Sequence, residues 1–151
     1  MHIEEVRTPE QRSTLFTLLY DYEAALPAHL RHGSADAATF ARITAPPARA
    51  FLAVTADIAF GCVLLAKLDS ATAVIQRLFV RESARGTGAG RALVTHTIEC
   101  AREDGHRRIT LDTDATELQA AFRLYQSLGF TPCEPFMPVD YPNPHFMELL
   151  L

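Results

Sequence analysis

One short run constrains this chain more than any other. Arg85-Gly86-Thr87-Gly88-Ala89-Gly90-Arg91 stands where an apolar, strand-like stretch gives way to a helical one. Glycine at alternate positions permits positive φ without penalty and keeps side chains out of the way of an approaching ligand. At the start of a helix the first amide N–H groups have no internal partner and the helix dipole is positive, so such a turn suits a phosphate or pyrophosphate. Arg85 and Arg91 add charge of the right sign. The spacing is not that of a dinucleotide fingerprint: counting from Gly86 or Gly88, the third glycine of Gly-x-Gly-x-x-Gly is missing. Nor is it a P-loop, which needs a lysine that this run lacks. Plain tight turns before helices also use glycine, and on spacing alone both readings stand.

The flanks set the architecture. Upstream, three apolar runs at residues 49–55, 58–67 and 72–80 are separated only by turns at Ala56-Asp57 and Asp69-Ser70, the pattern of an antiparallel meander. Downstream, Leu93, Val94, Ile98 and Ala101 give residues 88–102 a helical period that ends at Gly105. A strand at 107–112 follows, and strand-helix-strand implies a right-handed crossover with a locally parallel pair. Thr116-Glu117-Leu118-Gln119 reads as a capping box opening a helix whose face is Leu118, Ala121, Phe122, Tyr125 and Leu128, with Gly129 as its stop. Two closing strands are expected near 130–136 and 145–151. Before the meander, residues 1–7 read as a strand, and Thr8-Pro9-Glu10-Gln11 combines a Thr cap, a Pro at the first helical position and a Gln three residues on. Leu15, Leu18, Leu19, Tyr22 and Leu26 make that helix's buried stripe, which Pro27 ends. A shorter helix starts at Ser34 and stops before Pro46-Pro47. The fold expected is α/β in composition: a mixed, mostly antiparallel seven-stranded sheet with helices on both faces. No repeat or linker divides the chain, so residues 1–151 read as one domain.

Composition narrows the function. The formal net charge is −4, against the basic excess usual in nucleic-acid binders. Within that acidic background Arg77, Arg81, Arg85 and Arg91 reverse the sign locally. No apolar run approaches a membrane span, and the start Met1-His2-Ile3-Glu4-Glu5 lacks a signal pattern, so no membrane partner and a cytoplasmic location are expected. Cys62, Cys100 and Cys133 form an odd set with no close pairing; they read as free thiols, reactive or inert. His29 and His32 lie beside Pro27 and Gly33, in a loop rather than a ligand-bearing helix. His96 and Cys100 are one helical turn apart, but two ligands do not make a zinc site, and no metal is expected.

The residues then support a resemblance. Arg85, Gly88 and Gly90 match Arg/Gln-x-x-Gly-x-Gly/Ala, the main motif of the GNAT superfamily of N-acetyltransferases. Gln76-Arg77-Leu78-Phe79-Val80 is similar to that family's pantetheine-binding strand, and Leu124-Tyr125-Gln126-Ser127-Leu128-Gly129-Phe130 to its second motif, Leu-Tyr-x-x-Leu-Gly-Phe. The ending Asn143-Pro144-His145-Phe146-Met147-Glu148-Leu149 resembles one bacterial branch. The resemblance implies acetyl-CoA as co-substrate, a parallel strand pair at the cofactor cleft, and direct transfer to a primary amine of a small molecule or peptide. It also implies roles. The main chain of Leu78 and Val80 binds the pantetheine arm, and an amide in the Leu78–Phe79 region faces the thioester carbonyl. The amides of Gly86, Thr87, Gly88, Ala89, Gly90 and Arg91, with Arg85, hold the pyrophosphate. Tyr125 protonates the departing thiolate; read without the family, it is a core aromatic.

The chain departs from the family pattern at two places. Leu118 stands where many relatives carry an Asn, and Val74 where branch members often carry a Glu that serves as base. Asp112, Asp114, Glu134, His145 and Glu148 are the remaining base candidates, unranked. These departures also fit a non-catalytic acyl-CoA-binding module. The resemblance places acceptor contacts in residues 20–33, 112–117 and 136–145, and homodimers are common among its members. The acceptor's identity is not written in the sequence.

Overall fold

The computed structural model describes residues 1–33 and 36–151. Its elements are β1 (His2–Glu5), α1 (Pro9–Ala25), α2 (Ala37–Thr44), β2 (Arg49–Thr55), β3 (Ile58–Lys67), β4 (Thr72–Val80), α3 (Ala89–Glu103), β5 (Arg108–Asp114), α4 (Gln119–Ser127), β6 (Thr131–Pro132) and β7 (Pro144–Leu150). The seven strands form one sheet in the order β1-β2-β3-β4-β5-β7-β6. Every neighbouring pair is antiparallel except β4 and β5.

Alternation along the meander decides which helix lies on which face. Phe51, Val63, Leu65 and Ile75 pack with Leu93, Val94 and Ile98 of α3. Leu52, Val54, Cys62 and Leu64 pack with Leu15, Leu18 and Leu19 of α1 and Phe40 of α2. A slip of one residue in strand register would exchange the two sets, so both packed faces fix it. The expected capping box at Thr8 is formed in both directions: the Thr8 hydroxyl accepts from the Gln11 amide at 3.1 Å, and the Gln11 side chain accepts from the Thr8 amide at 3.0 Å.

Two local expectations need correction, and a third falls outside the described residues. The Thr116 capping box is absent, and α4 starts at Gln119 with no side-chain cap. The buried Asp114 carboxylate accepts from the Thr116 and Glu117 amides, both at 2.9 Å, so those residues form a turn before the helix. The closing strand β6 is two residues long, because only Thr131 and Pro132 pair with β7. The proposed helix start at Ser34 lies outside the described residues; α2 is capped by Asp36, whose carboxylate accepts from the Ala38 and Thr39 amides at 2.7 and 3.0 Å.

Two irregularities in β4 open the sheet. It pairs with β5 only through Thr72, Val74 and the residue between them; beyond Val74, β4 continues along β3 while β5 continues along β7. Opposite that gap, Leu64 pairs with Gln76 but Cys62 with Phe79, so β4 carries one extra residue. The bulge is centred on Arg77, a non-glycine residue at φ 53°.

Candidate functional site

The wedge between the diverging strands is a cleft with two lobes, of about 590 and 640 Å³. Tyr22, Leu26, Leu78, Leu118 and Ala121 line both lobes and form the passage between them.

The first lobe is built around the glycine turn. Leu78, Phe79 and Val80 of β4 line it, with Arg85, Gly86, Gly88, Ala89, Gly90 and Arg91. Gly86 and Gly88 have φ of 78° and 86°, and a Cβ built at either would meet nothing within 4 Å. Both conditions matter. The turn needs left-handed backbone, which L side chains adopt at a cost, and the space a side chain would fill is left open. Gly88 precedes the first residue of the 15-residue helix α3 without any side-chain cap, so the helix presents its amides and positive dipole to this lobe. Gly90 has a different part: a Cβ there would lie 3.3 Å from Leu124, so its smallness lets α3 approach α4. Thr87 is exposed and lines neither lobe; its hydroxyl donates to the Ala84 carbonyl at 2.5 Å.

The arginine cluster is divided by the fold. Arg85 and Arg91 are exposed at the glycine turn, Arg91 donating to the Ser127 hydroxyl at 2.7 Å. Arg81 is ion-paired with Asp21 of α1. Arg77, carried by the bulge, lines the other lobe.

The second lobe is made of side chains from distant segments. All three stretches expected to meet an acceptor contribute: Leu30 and His32 after α1, Asp112, Thr113 and Asp114 of β5, and Met137 to Tyr141 before β7. Arg42 and Ile43 of α2, and Ile75, Gln76 and Arg77 of β4, complete it without having been foreseen. Tyr125 lies in its wall, 5% exposed and packed on Phe130 with ring centroids 5.6 Å apart. Burial raises the pKa of its phenol well above the ordinary value, so it stays protonated at neutral pH. His32 stacks on Tyr22 with centroids 5.9 Å apart, and its ring nitrogen Nε2 is 3.4 Å from the Tyr22 hydroxyl. Burial, then the Arg77 charge, lowers the His32 pKa, which favours its neutral form.

Among the five base candidates, two reach the cleft. Asp112 lines the second lobe and accepts from the Tyr141 hydroxyl at 2.7 Å. Asp114 also lines it, but one of its oxygens is committed to the turn before α4. Glu148 is paired with Arg108 at 2.6 Å, while Glu134 and His145 are exposed and line neither lobe. Burial pushes the Cys62 thiol up to about 12 and raises the other two thiols as well, so none is poised as a nucleophile. Among the described residues no three His, Cys, Asp or Glu side chains converge on a metal-sized site, and no helix is long and apolar enough to cross a membrane.

Comparison with known proteins agrees with this geometry. The family model described as "Acetyltransferase (GNAT) family" matches residues 14–130. The uncharacterized N-acetyltransferase YsnE of Bacillus subtilis (strain 168) is 35% identical over 91 residues, 58% of this chain and 59% of that protein. The chain spans about half the length of the first curated relatives it matches. Among solved structures, an aminoglycoside 6'-N-acetyltransferase complexed with coenzyme A superposes with a TM-score of 0.75 at 20% identity, covering 99% of this chain and 97% of its own. A ribosomal-protein-alanine N-acetyltransferase from Brucella melitensis does so at 0.78 and 18%, over 100% of both chains. At these identities the likeness is one of fold.

Proposed function

This chain belongs to the acetyltransferase (GNAT) family, and from that premise we propose that it binds acetyl-CoA in the first lobe and transfers the acetyl group to an amine held in the second lobe. The observation that carries the reading is the passage between the lobes. A glycine-opened helix start and a polar, side-chain-lined cavity meet at Leu78, beside the bulge and within the gap where β4 has left β5.

The roles follow from the chemistry of each wall. Acetyl-CoA supplies an acyl group activated as a thioester. The amides from Gly86 to Arg91 bind its diphosphate, with Arg85 and Arg91 adding charge. The edge of β4 beyond Val74 receives the pantetheine arm as a sheet edge receives a strand. A main-chain N–H of the Leu78–Phe79 segment stabilises negative charge on the carbonyl oxygen, a contribution of about 3–4 kcal/mol for one such donor. Asp112 draws the acceptor's ammonium into the second lobe and orients it. The ammonium gives one proton to solvent, the neutral amine attacks the thioester carbonyl, and the proton its nitrogen then sheds returns through water to the Tyr125 phenolate as the C–S bond breaks. Tyr125 holds a proton at its phenol oxygen, kept there by burial, and gives it to the departing sulfur. No covalent acetyl-enzyme is needed, since one sheet positions both partners, and positioning alone is worth much of the barrier.

The test has two parts. Titration with CoA and with ATP, followed by thermal shift, is expected to raise the melting temperature with CoA only. A screen of amines with acetyl-CoA, read by release of free thiol, is expected to find an acceptor. Stabilisation by ATP alone overturns the assignment of the first lobe, and hydrolysis without any acetylated amine overturns that of the second.

A further inference from the structure

The ionisable groups lining the second lobe are sorted by sign. His32, Arg42 and Arg77 all come from the side formed by the segment after α1, by α2 and by β4. Asp112, Asp114 and Asp140 all come from the side formed by β5 and the segment before β7. A lobe meant only to attract a cation needs the second wall and not the first.

The first wall has an excess of positive charge. Arg77 and Arg42 are close enough for the Arg42 charge to disfavour that of Arg77, which burial disfavours first. The buried carboxylate near them, Glu23, accepts the His32 amide with both oxygens at 2.9 Å. Two guanidinium groups against one carboxylate leave the wall net positive, and holding Arg77 in the left-handed region adds backbone strain on top of its desolvation. Guanidinium groups match carboxylates in shape and charge better than any other side chain.

Building on the acetyl-transfer reading, we propose that the acceptor is itself dipolar: a small amine that also carries a carboxylate, as an amino acid or short peptide does, its ammonium directed to the Asp112 wall and its carboxylate to Arg42 and Arg77. Tyr22, Leu26, Leu30 and Met137 supply apolar surface between the two poles, which leaves room for a side chain. A site of this kind discriminates strongly, because an acceptor lacking the carboxylate forgoes its pairing with the guanidinium groups of the first wall.

Two acceptor trios test the proposal with acetyl-CoA and free-thiol release: L-phenylalanine, its carboxamide and phenethylamine; and L-lysine, its carboxamide and cadaverine. The expected result, in at least one trio, is a kcat/KM at least about tenfold higher for the carboxylate than for either partner. Arg42→Gln, an exposed position where misfolding is not expected, should cut that preference severalfold through KM, and Arg77→Lys should do the same. If the amide or the decarboxylated amine is used as well in both trios, or if the preference survives both substitutions, the dipolar acceptor is overturned while acetyl transfer stands. If no member is acetylated although calorimetry shows acetyl-CoA bound, the dipolar acceptor is overturned; if acetyl-CoA does not bind either, the acetyl-transfer reading falls with it.

Discussion

The two lobes of the cleft are built on different principles. The glycine-turn lobe takes much of its lining from one stretch, residues 78–91, opened by glycine, with α1 and the start of α4 closing it. The other gathers side chains from α2, β4, β5, the segment after α1 and the segment before β7, with no two of its charged residues adjacent in sequence. A ligand shared by many proteins can be held by backbone, whose chemistry does not change with sequence. An acceptor particular to one protein has to be held by side chains. On the proposed assignment, the first lobe holds the shared ligand and the second the particular one.

Substitutions should separate the lobes. Tyr125→Phe removes only the phenol oxygen and is expected to lower kcat by about 100-fold or more, the usual contribution of a general acid, with acetyl-CoA affinity unchanged in calorimetry. A variant that turns over normally would reduce Tyr125 to packing and favour a binding module. Gly88→Val forces a β-branched residue to φ 86°; at roughly 1–2 kcal/mol of strain, the dissociation constant for CoA should rise about tenfold or more while the fold remains. Equal loss of acceptor affinity would deny that the lobes are separable. Asp112→Asn keeps a partner for Tyr141 but removes the charge, and should raise acceptor KM severalfold without touching the coenzyme constant.

The smallest effect is a control lying outside both lobes. Arg49 donates to Glu5 at 2.7 Å and to Asp104 at 3.0 Å, tying β2 to β1 and to the end of α3. The Arg49 hydrogen bond holds the Glu5 carboxyl at about 2 against an ordinary 4.5. A carboxyl lowered by folding adds stability that is complete above pH 4.5 and is lost as pH falls towards 2. Wild type should therefore lose more of its melting temperature than Glu5→Gln between those two values, by a few degrees, with both ligand constants at neutral pH unchanged.

The same contrast explains what could be read beforehand. The meander, the Thr8 cap and the glycine turn announce themselves because their causes are local: alternation, a hydroxyl beside a helix start, a missing Cβ. The Thr116 cap failed because a better acceptor, Asp114, is buried two residues earlier and takes the amides first. The bulge at Arg77 left no signal, since an arginine in left-handed backbone looks like any other in a strand. Arg42 was invisible as a site residue because only the tertiary fold brings α2 to β4, whereas His32 fell within a stretch expected to meet the acceptor and only its stacking on Tyr22 left no signal. The family pattern supplied Tyr125, which on its own reads as one more aromatic on an apolar helix face.

Tyr22 and Leu26 belong to both lobes and ride on one helix, clamped at its start by Thr8 and Gln11 and pressed into the sheet by three fully buried leucines. On the proposed assignment, such a helix cannot be retuned for a new acceptor without disturbing the seat of the coenzyme. On the same assignment, a substitution in the last turn of α2 or at residues 137–141, which line the second lobe alone, alters one tenant and leaves the other undisturbed.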